Sequence, residues 1–315
     1  MQAMSLEKPV IAIVGAGAVG AFYGAKLARR GFDVHFLLRS DYATVRERGW
    51  SIRSKDGDFA ISSDCVHAYD DPKHMPKADL VIVTLKATSN DAMPGLVAPL
   101  IKHDTILLTM QNGLGNEELL AEHFGGERVV GAMAFVCINR IAPGIVHHID
   151  QGFVRVGEFI GPPIERTHRI AEMFESSGID CKVLDSLARG RWDKLIWNIP
   201  FNGLGAALDL DTQQLLRTQA GERMVLELMH EVIAVARAKG IDFPPDQAAK
   251  KVAITKPMGP YRTSMQIDRQ EGRAMEVEAI VGYPFKVACE LGVSVPRMKL
   301  IHELLLLINS SIVAA

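Results

Sequence analysis

The chain has 315 residues, a formal net charge of −2 and charges of both signs. That length exceeds what one typical hydrophobic core serves, so two domains are expected. The near-neutral balance leaves no electrostatic footprint for nucleic acid or an anionic membrane surface, and neither partner is expected.

Four cysteines, Cys65, Cys137, Cys181 and Cys289, lie far apart without a CxxC pair. This fits a reducing, cytoplasmic setting and argues against disulfides or structural zinc. Residues 1–8 lack the design of a signal peptide and read as a loose terminus. The apolar stretch from Val10 to Leu27 is interrupted by glycines, and Leu304–Ile308 is too short to span a bilayer.

The first element predicted is a buried strand, Val10–Val14. It is followed by Gly15-Ala16-Gly17-Ala18-Val19-Gly20 and then by a helical pattern, Ala21 to Arg30, closed by Gly31. In this strand–turn–helix setting the glycines carry chemistry. Gly15 permits the tight turn, Gly17 lets backbone approach a pyrophosphate, and Gly20 lets helix and strand pack closely. The helix N-terminus then offers N–H groups and partial positive charge to the phosphates. A second strand, Asp33–Leu38, ends at Arg39, 19 residues beyond Gly20. An NAD site carries an acid at about that distance, on the ribose 2′-OH. Arg39 instead presents a fork of donors suited to a 2′-phosphate, so NADP(H) is favoured over NAD(H). Asp41 reads as a helix N-cap.

Polar–apolar alternation around 49–69, with a turn at Asp56-Gly57, predicts short half-exposed strands. Leu80–Thr84 and Thr105–Thr109 read as buried strands, each followed by a loop and a helix. Residues 128–158 read as strands turning at Pro143-Gly144, Pro163–Ser177 as a helix and Ile179–Val183 as a strand. This βαβ grammar predicts an α/β fold: a Rossmann-type, doubly wound, mostly parallel sheet over residues 1–185. From about Ser186 the pattern is helix after helix, which predicts an all-helical second domain over 186–315. Its clearest member is Thr218–Lys239. The apolar stripe of that helix reads as core, or alternatively as an oligomer interface; a homodimer is the one macromolecular partnership left open.

Ligands of open α/β sheets bind beyond the carboxyl ends of the strands. Besides the glycine turn, two loops lie there: Leu85-Lys86-Ala87 and Gln111-Asn112-Gly113-Leu114-Gly115. Lys86 has the charge to meet a phosphate, or is one more exposed lysine; Asn112-Gly113 also suits a plain turn. In the second half, Lys194, Asn198 and Asn202 fall at i, i+4 and i+8 of an otherwise apolar helix, over about 80° of one face. Buried polar groups need partners, and a ligand cleft explains this stripe better than a core does. Pro200 is expected to free a carbonyl and bend the helix. A desolvated lysine has a lowered pKa and serves as a general acid near neutral pH. Downstream, Ser264-Met265-Gln266-Ile267-Asp268 and Glu276 add polar groups: Ser264 is a candidate ligand or helix cap, Glu276 a candidate partner of Lys194, a ribose contact or a surface acid. No cluster has metal-ligand spacing, and His147-His148 diverge on a strand.

Taken together, the glycine turn, Leu85-Lys86-Ala87, Gln111 to Gly115, the Lys194/Asn198/Asn202 spacing, Ser264 to Asp268 and Glu276 resemble the ketopantoate reductases (2-dehydropantoate 2-reductases). The resemblance covers nearly the whole chain. It implies NADPH-dependent reduction of 2-dehydropantoate, a small 2-oxo acid, to (R)-pantoate on the way to pantothenate and coenzyme A, with a Rossmann domain followed by a helical one. By position, Lys194 matches the proton donor, and Lys194, Asn198, Asn202 and Ser264 match substrate-binding positions. Gly15 to Gly20, Arg39, Lys86, Asn112, the Cys137 backbone and Glu276 match cofactor contacts, with Glu276 a second catalytic candidate. Thr212 stands where family members carry another substrate-binding asparagine, which puts the far end of the substrate in question. A reductase of another branched 2-oxo acid, a dehydrogenase of the hydroxyisobutyrate or opine type and a non-catalytic NADP(H)-binding redox sensor are the alternatives.

Overall fold

The computed structural model describes residues 8–313. The expectation of a loose terminus over residues 1–8 therefore lies, for residues 1–7, outside the described residues. The chain divides into two compact units. One comprises the chain to Gln111 together with Asn116–Leu187; the other comprises Asn112–Gly115 and the chain from Ala188 onward. The expected boundary at 185/186 left the excursion at 112–115 unanticipated.

Among the described residues the first unit holds a ten-stranded sheet: β1 (Val10–Val14), β2 (Asp33–Leu37), β3 (Trp50–Ser54), β4 (Phe59–Ile61), β5 (His67–Tyr69), β6 (Leu80–Val83), β7 (Ile106–Thr109), β8 (Val129–Ala142), β9 (Ile145–Glu158) and β10 (Cys181–Val183). Its spatial order is β4-β3-β9-β8-β7-β6-β1-β2-β5, with β10 beside β9. The run β5-β2-β1-β6-β7-β8 is wholly parallel, and antiparallel pairing is confined to β8–β9 and β3–β4. The central strands β1, β6 and β7 are apolar almost throughout because both faces are covered. Ile11, Ile13, Leu80, Ile82, Ile106 and Leu108 join the core on one face, while Ala12, Val14, Val81, Val83 and Leu107 join the other. Helices α1 (Ala18–Arg30), α2 (Tyr42–Arg48), α3 (Met93–Val97), α4 (Asn116–Phe124) and α5 (Glu165–Ser176) complete the unit. Chain order reverses between β1 and β6, the switch point where the carboxyl ends of a doubly wound sheet open a crevice.

One expectation fails here. Asp41 does precede α2, but its carboxylate does not cap it. It accepts instead from Arg140, from Ser40 Oγ at 3.0 Å and from the Gly144 N–H at 3.2 Å. A buried carboxylate satisfies the strongest donors in reach, and here those come from the β8–β9 hairpin.

The second unit is helical: α6 (Leu187–Leu208), α7 (Thr212–Leu216), α8 (Gln219–Ala238), α9 (Gln247–Thr255), α10 (Ser264–Gln270), α11 (Tyr283–Glu290) and α12 (Pro296–Val313), with a π-helical turn, Glu278–Gly282, ahead of α11. The apolar stripe predicted on α8 is core except at its start: Val225, Leu228, Met229, Val232, Ile233 and Ala236 are buried with Trp192, Ile196, Ile199 and Phe201 of α6, whereas Met224 is exposed. Among the described residues no helix is long and apolar enough to cross a membrane.

Candidate active site

In the first unit the glycine turn is shaped by its neighbours. Gly15 has φ +91°, and a Cβ there would lie 2.7 Å from the Leu85 nitrogen. The loops after β1 and β6 thus pack against each other with only glycine fitting between them. At Gly20 a Cβ would run into the Thr84 hydroxyl and lie 2.9 Å from Ile13 Cγ2. That hydroxyl is held there because it donates to the Gly15 carbonyl at 2.8 Å. Gly17 differs: the nearest atom to a Cβ would be the Gly15 oxygen, 4.0 Å away. Packing therefore accounts for Gly15 and Gly20, whereas the open approach at exposed Gly17 suits an incoming phosphate. Gly17 is the N-cap of α1, whose first turn carries no acid, and Ala18 and Val19 open the helix. Ala16 is buried, its N–H donating to the Leu37 carbonyl at the end of β2 at 3.3 Å.

Arg39 stands exposed two residues beyond β2, and Lys86 exposed three residues beyond β6. Since β2, β1 and β6 are adjacent, the sheet brings both cations and the glycine turn to one edge. These residues fit a phosphate-bearing dinucleotide. Cys137 lies on β8, six residues past Gly131, which pairs with Thr109 at the carboxyl end of β7. It is half-buried and opposite Asp150 of β9.

The sequence reading missed an amide relay around the loop after β7. Gln111 Nε2 donates to Asn90 Oδ1 at 2.8 Å, Asn90 Nδ2 donates to Asn116 Oδ1 at 2.9 Å, and the Thr109 hydroxyl donates to Gln111 Oε1 at 3.1 Å. Its members lie too far apart in sequence for a spacing rule to link them.

In the second unit α6 runs without interruption through Pro200. Lys194 is half-buried on it; Asn198 and Asn202 are buried on the same face, 6% and 3% exposed. The Lys194 ammonium donates to Asn112 Oδ1 at 2.9 Å. Burial pushes its pKa down from 10.5 to about 7, helped by the neighbouring Arg191 guanidinium and opposed by the carboxylate of Glu276. Glu276 is buried, so the surface-acid alternative falls; its relation to Lys194 is electrostatic attraction. Asn202 Oδ1 accepts from the Ser264 hydroxyl at 3.4 Å and the Met265 N–H at 3.3 Å. Ser264 is exposed and is not the helix cap: Thr263 caps α10, accepting from the Gln266 N–H. The loop Asn112–Gly115, the middle of α6, the start of α10 and Glu276 thus supply the polar groups of this unit's candidate site.

Thr212 takes no part in that group. Its hydroxyl donates to the Gly259 carbonyl at 2.8 Å and accepts from the Tyr261 N–H at 3.2 Å. It is a buried latch on the segment leading into α10, and the question raised by the missing asparagine becomes one of structure. Asp193, one residue from Lys194, is bound by Lys251 at 2.7 Å and Gln247 at 2.5 Å, which anchors α6 to α9.

The sequence profile described as "Ketopantoate reductase PanE/ApbA" matches residues 11–161, and its C-terminal counterpart matches residues 186–309. The chain belongs to the ketopantoate reductase family. It is 43% identical over 299 residues to the 2-dehydropantoate 2-reductase of Nostoc sp., covering 93% of each chain. The crystal structure of 2-dehydropantoate 2-reductase from Geobacter metallireducens superposes with a TM-score of 0.91 at 43% identity, over 94% of this chain and 98% of that one. A D-mandelate dehydrogenase solved with NADH and anilino(oxo)acetate shares the fold (TM-score 0.87, 23% identity, 96% and 98% coverage).

Proposed function

We propose that this protein reduces 2-dehydropantoate to (R)-pantoate with NADPH, the reductive step toward pantothenate and coenzyme A. The observation that carries the reading is Lys194: an ammonium drawn down to about 7, held on Asn112 and facing buried Glu276, in a chain of this family. Bound NADPH supplies a hydride to the 2-keto carbon. Lys194 then has two tasks, stabilising the charge that grows on the carbonyl oxygen and donating its proton to the alkoxide. Asn112 orients the ammonium before the reaction, and Glu276 offsets part of its burial. Asn198, Asn202 and Ser264 bind the hydroxyl and carboxylate ends of the 2-oxo acid. Gly15 to Gly20 cradle the pyrophosphate, Arg39 and Lys86 meet the phosphate side of the cofactor, and the backbone at Cys137 contributes a further contact. The first unit is accordingly the NADP-binding domain and the second the substrate domain. The protein works in the cytoplasm on a small molecule, without nucleic acid or membrane, and a homodimer is the assembly to test.

Two measurements decide the reading. Lys194→Ala should leave NADPH binding nearly intact and remove most turnover, by about 10²–10⁴-fold; full turnover would eliminate the mechanism. Loss of NADPH absorbance against a panel of 2-oxo acids should be fastest with 2-dehydropantoate. Rapid loss with a different acid and none with 2-dehydropantoate would replace the substrate.

A further inference from the structure

The π-helical turn at Glu278–Gly282 has a geometric consequence. In an α-helix the Tyr283 N–H would bond the carbonyl four residues back, Ala279. Here it bonds Glu278, five residues back, and the Ala279 carbonyl is released. The released oxygen is taken by the Leu114 N–H at 2.9 Å. Gly113 makes this docking sterically feasible: its φ is +85°, and a Cβ there would overlap the Ala279 backbone. Beside this junction stands Asn112, whose carbonyl receives the Lys194 ammonium. Glu276, the acid coupled to the same ammonium, lies three residues before Ala279. One short segment therefore sets both partners of the proton donor.

We infer that Gly113 is a positioning residue of the reductase: by seating its loop on the carbonyl released at the π-turn, it holds the Asn112 amide as the acceptor of Lys194. The inference rests on Lys194 as proton donor. Arg191 from its own helix and Glu276 from the segment before the π-turn are charged groups that act on Lys194. Neither belongs to the loop, so a disturbance of the loop acts on Lys194 through the Asn112 contact. That contact favours the charged ammonium, and its loss lowers the Lys194 pKa.

The test titrates Lys194 in the full chain by NMR of ¹³Cε-labelled lysine, without cofactor or substrate, assigning the signal by its absence in Lys194→Met. Gly113→Ala and Asn112→Ala should each lower the Lys194 pKa by about one unit, and the double variant should go no lower than either. In wild-type protein the Leu114 amide should exchange with solvent as slowly as amides inside α11, a readout independent of whether Gly113→Ala folds. Where 2-dehydropantoate is turned over, the alkaline limb of the kcat profile should move down by the same shift in Gly113→Ala. An unmoved Lys194 titration in either single variant, additive shifts in the double variant or a fast-exchanging Leu114 amide would each overturn the inference. The titration and exchange results stand even if 2-dehydropantoate proves not to be the substrate.

Discussion

Replacing Lys194 with Met should stabilise the protein while disabling it, and the gain should depend on pH. The folded state holds this ammonium at about 7, against 10.5 for a lysine in water. Between those values the unfolded chain binds the additional proton, so wild-type stability rises with pH through that window. From those two pKa values, the charge costs the folded state on the order of 4–5 kcal/mol at pH 6.5 and about 2 kcal/mol at pH 9. Met fills similar volume without a charge and escapes this cost. It leaves the Asn112 carbonyl without its donor, a loss of about 1 kcal/mol at either pH. Net stabilisation should therefore be about 3–4 kcal/mol at pH 6.5 and about 1 kcal/mol at pH 9. Urea unfolding followed by tryptophan fluorescence suits the measurement, because Trp192 and Trp197 flank Lys194 on α6. A Lys194→Met protein no more stable than wild type at pH 6.5, or a difference constant between the two pH values, would refute the claim that the fold holds a desolvated ammonium here.

Three further outcomes are expected. Arg39→Ala should weaken NADPH binding by about 10–100-fold in calorimetric titration and leave NADH binding within a few-fold, since only NADPH carries the 2′-phosphate; equal losses would deny Arg39 that role. Gly20→Ala should destabilise the first unit by about 1–3 kcal/mol. Adding Thr84→Ala should restore only part of it, because Ile13 Cγ2 lies 2.9 Å from the same Cβ; full restoration, or no loss at first, would contradict the packing account. Thr212→Val should lower stability by about 1–3 kcal/mol in denaturant titration, with KM for the 2-oxo acid changed less than about two-fold; a large rise in KM at unchanged stability would return Thr212 to the substrate site.

Local patterns carried the first unit. Continuous apolar runs such as Leu80–Val83 announce strands covered on both faces, and Gly15 to Gly20 announces the turn between β1 and α1, because each signal is complete within a few residues. The Lys194–Asn198–Asn202 face of α6 was legible for the same reason: helical period places those side chains without reference to the rest of the chain. What local pattern could not supply was the partner. Asp41 has the identity and position of a helix cap, yet Arg140 and the Gly144 N–H, about a hundred residues away in sequence, compete more strongly for its carboxylate. Ser264 and Thr263 are both competent caps, and the adjacent backbone decides for Thr263.

The same limit explains why the Lys194 site was readable only in outline. A lysine among apolar residues predicts a lowered pKa, but the size of the effect depends on which carboxylate and which carbonyl approach it. Asn112 reaches Lys194 because Leu114 binds an Ala279 carbonyl that a regular α-helix would have kept for itself. No propensity marks Glu278–Gly282 as a π-turn. Gly113 looks like half of an ordinary Asn-Gly turn until the neighbouring backbone is in view. The chemistry attributed to a single lysine is thus set by a hydrogen-bond exchange in main chain, where side-chain identity leaves little trace.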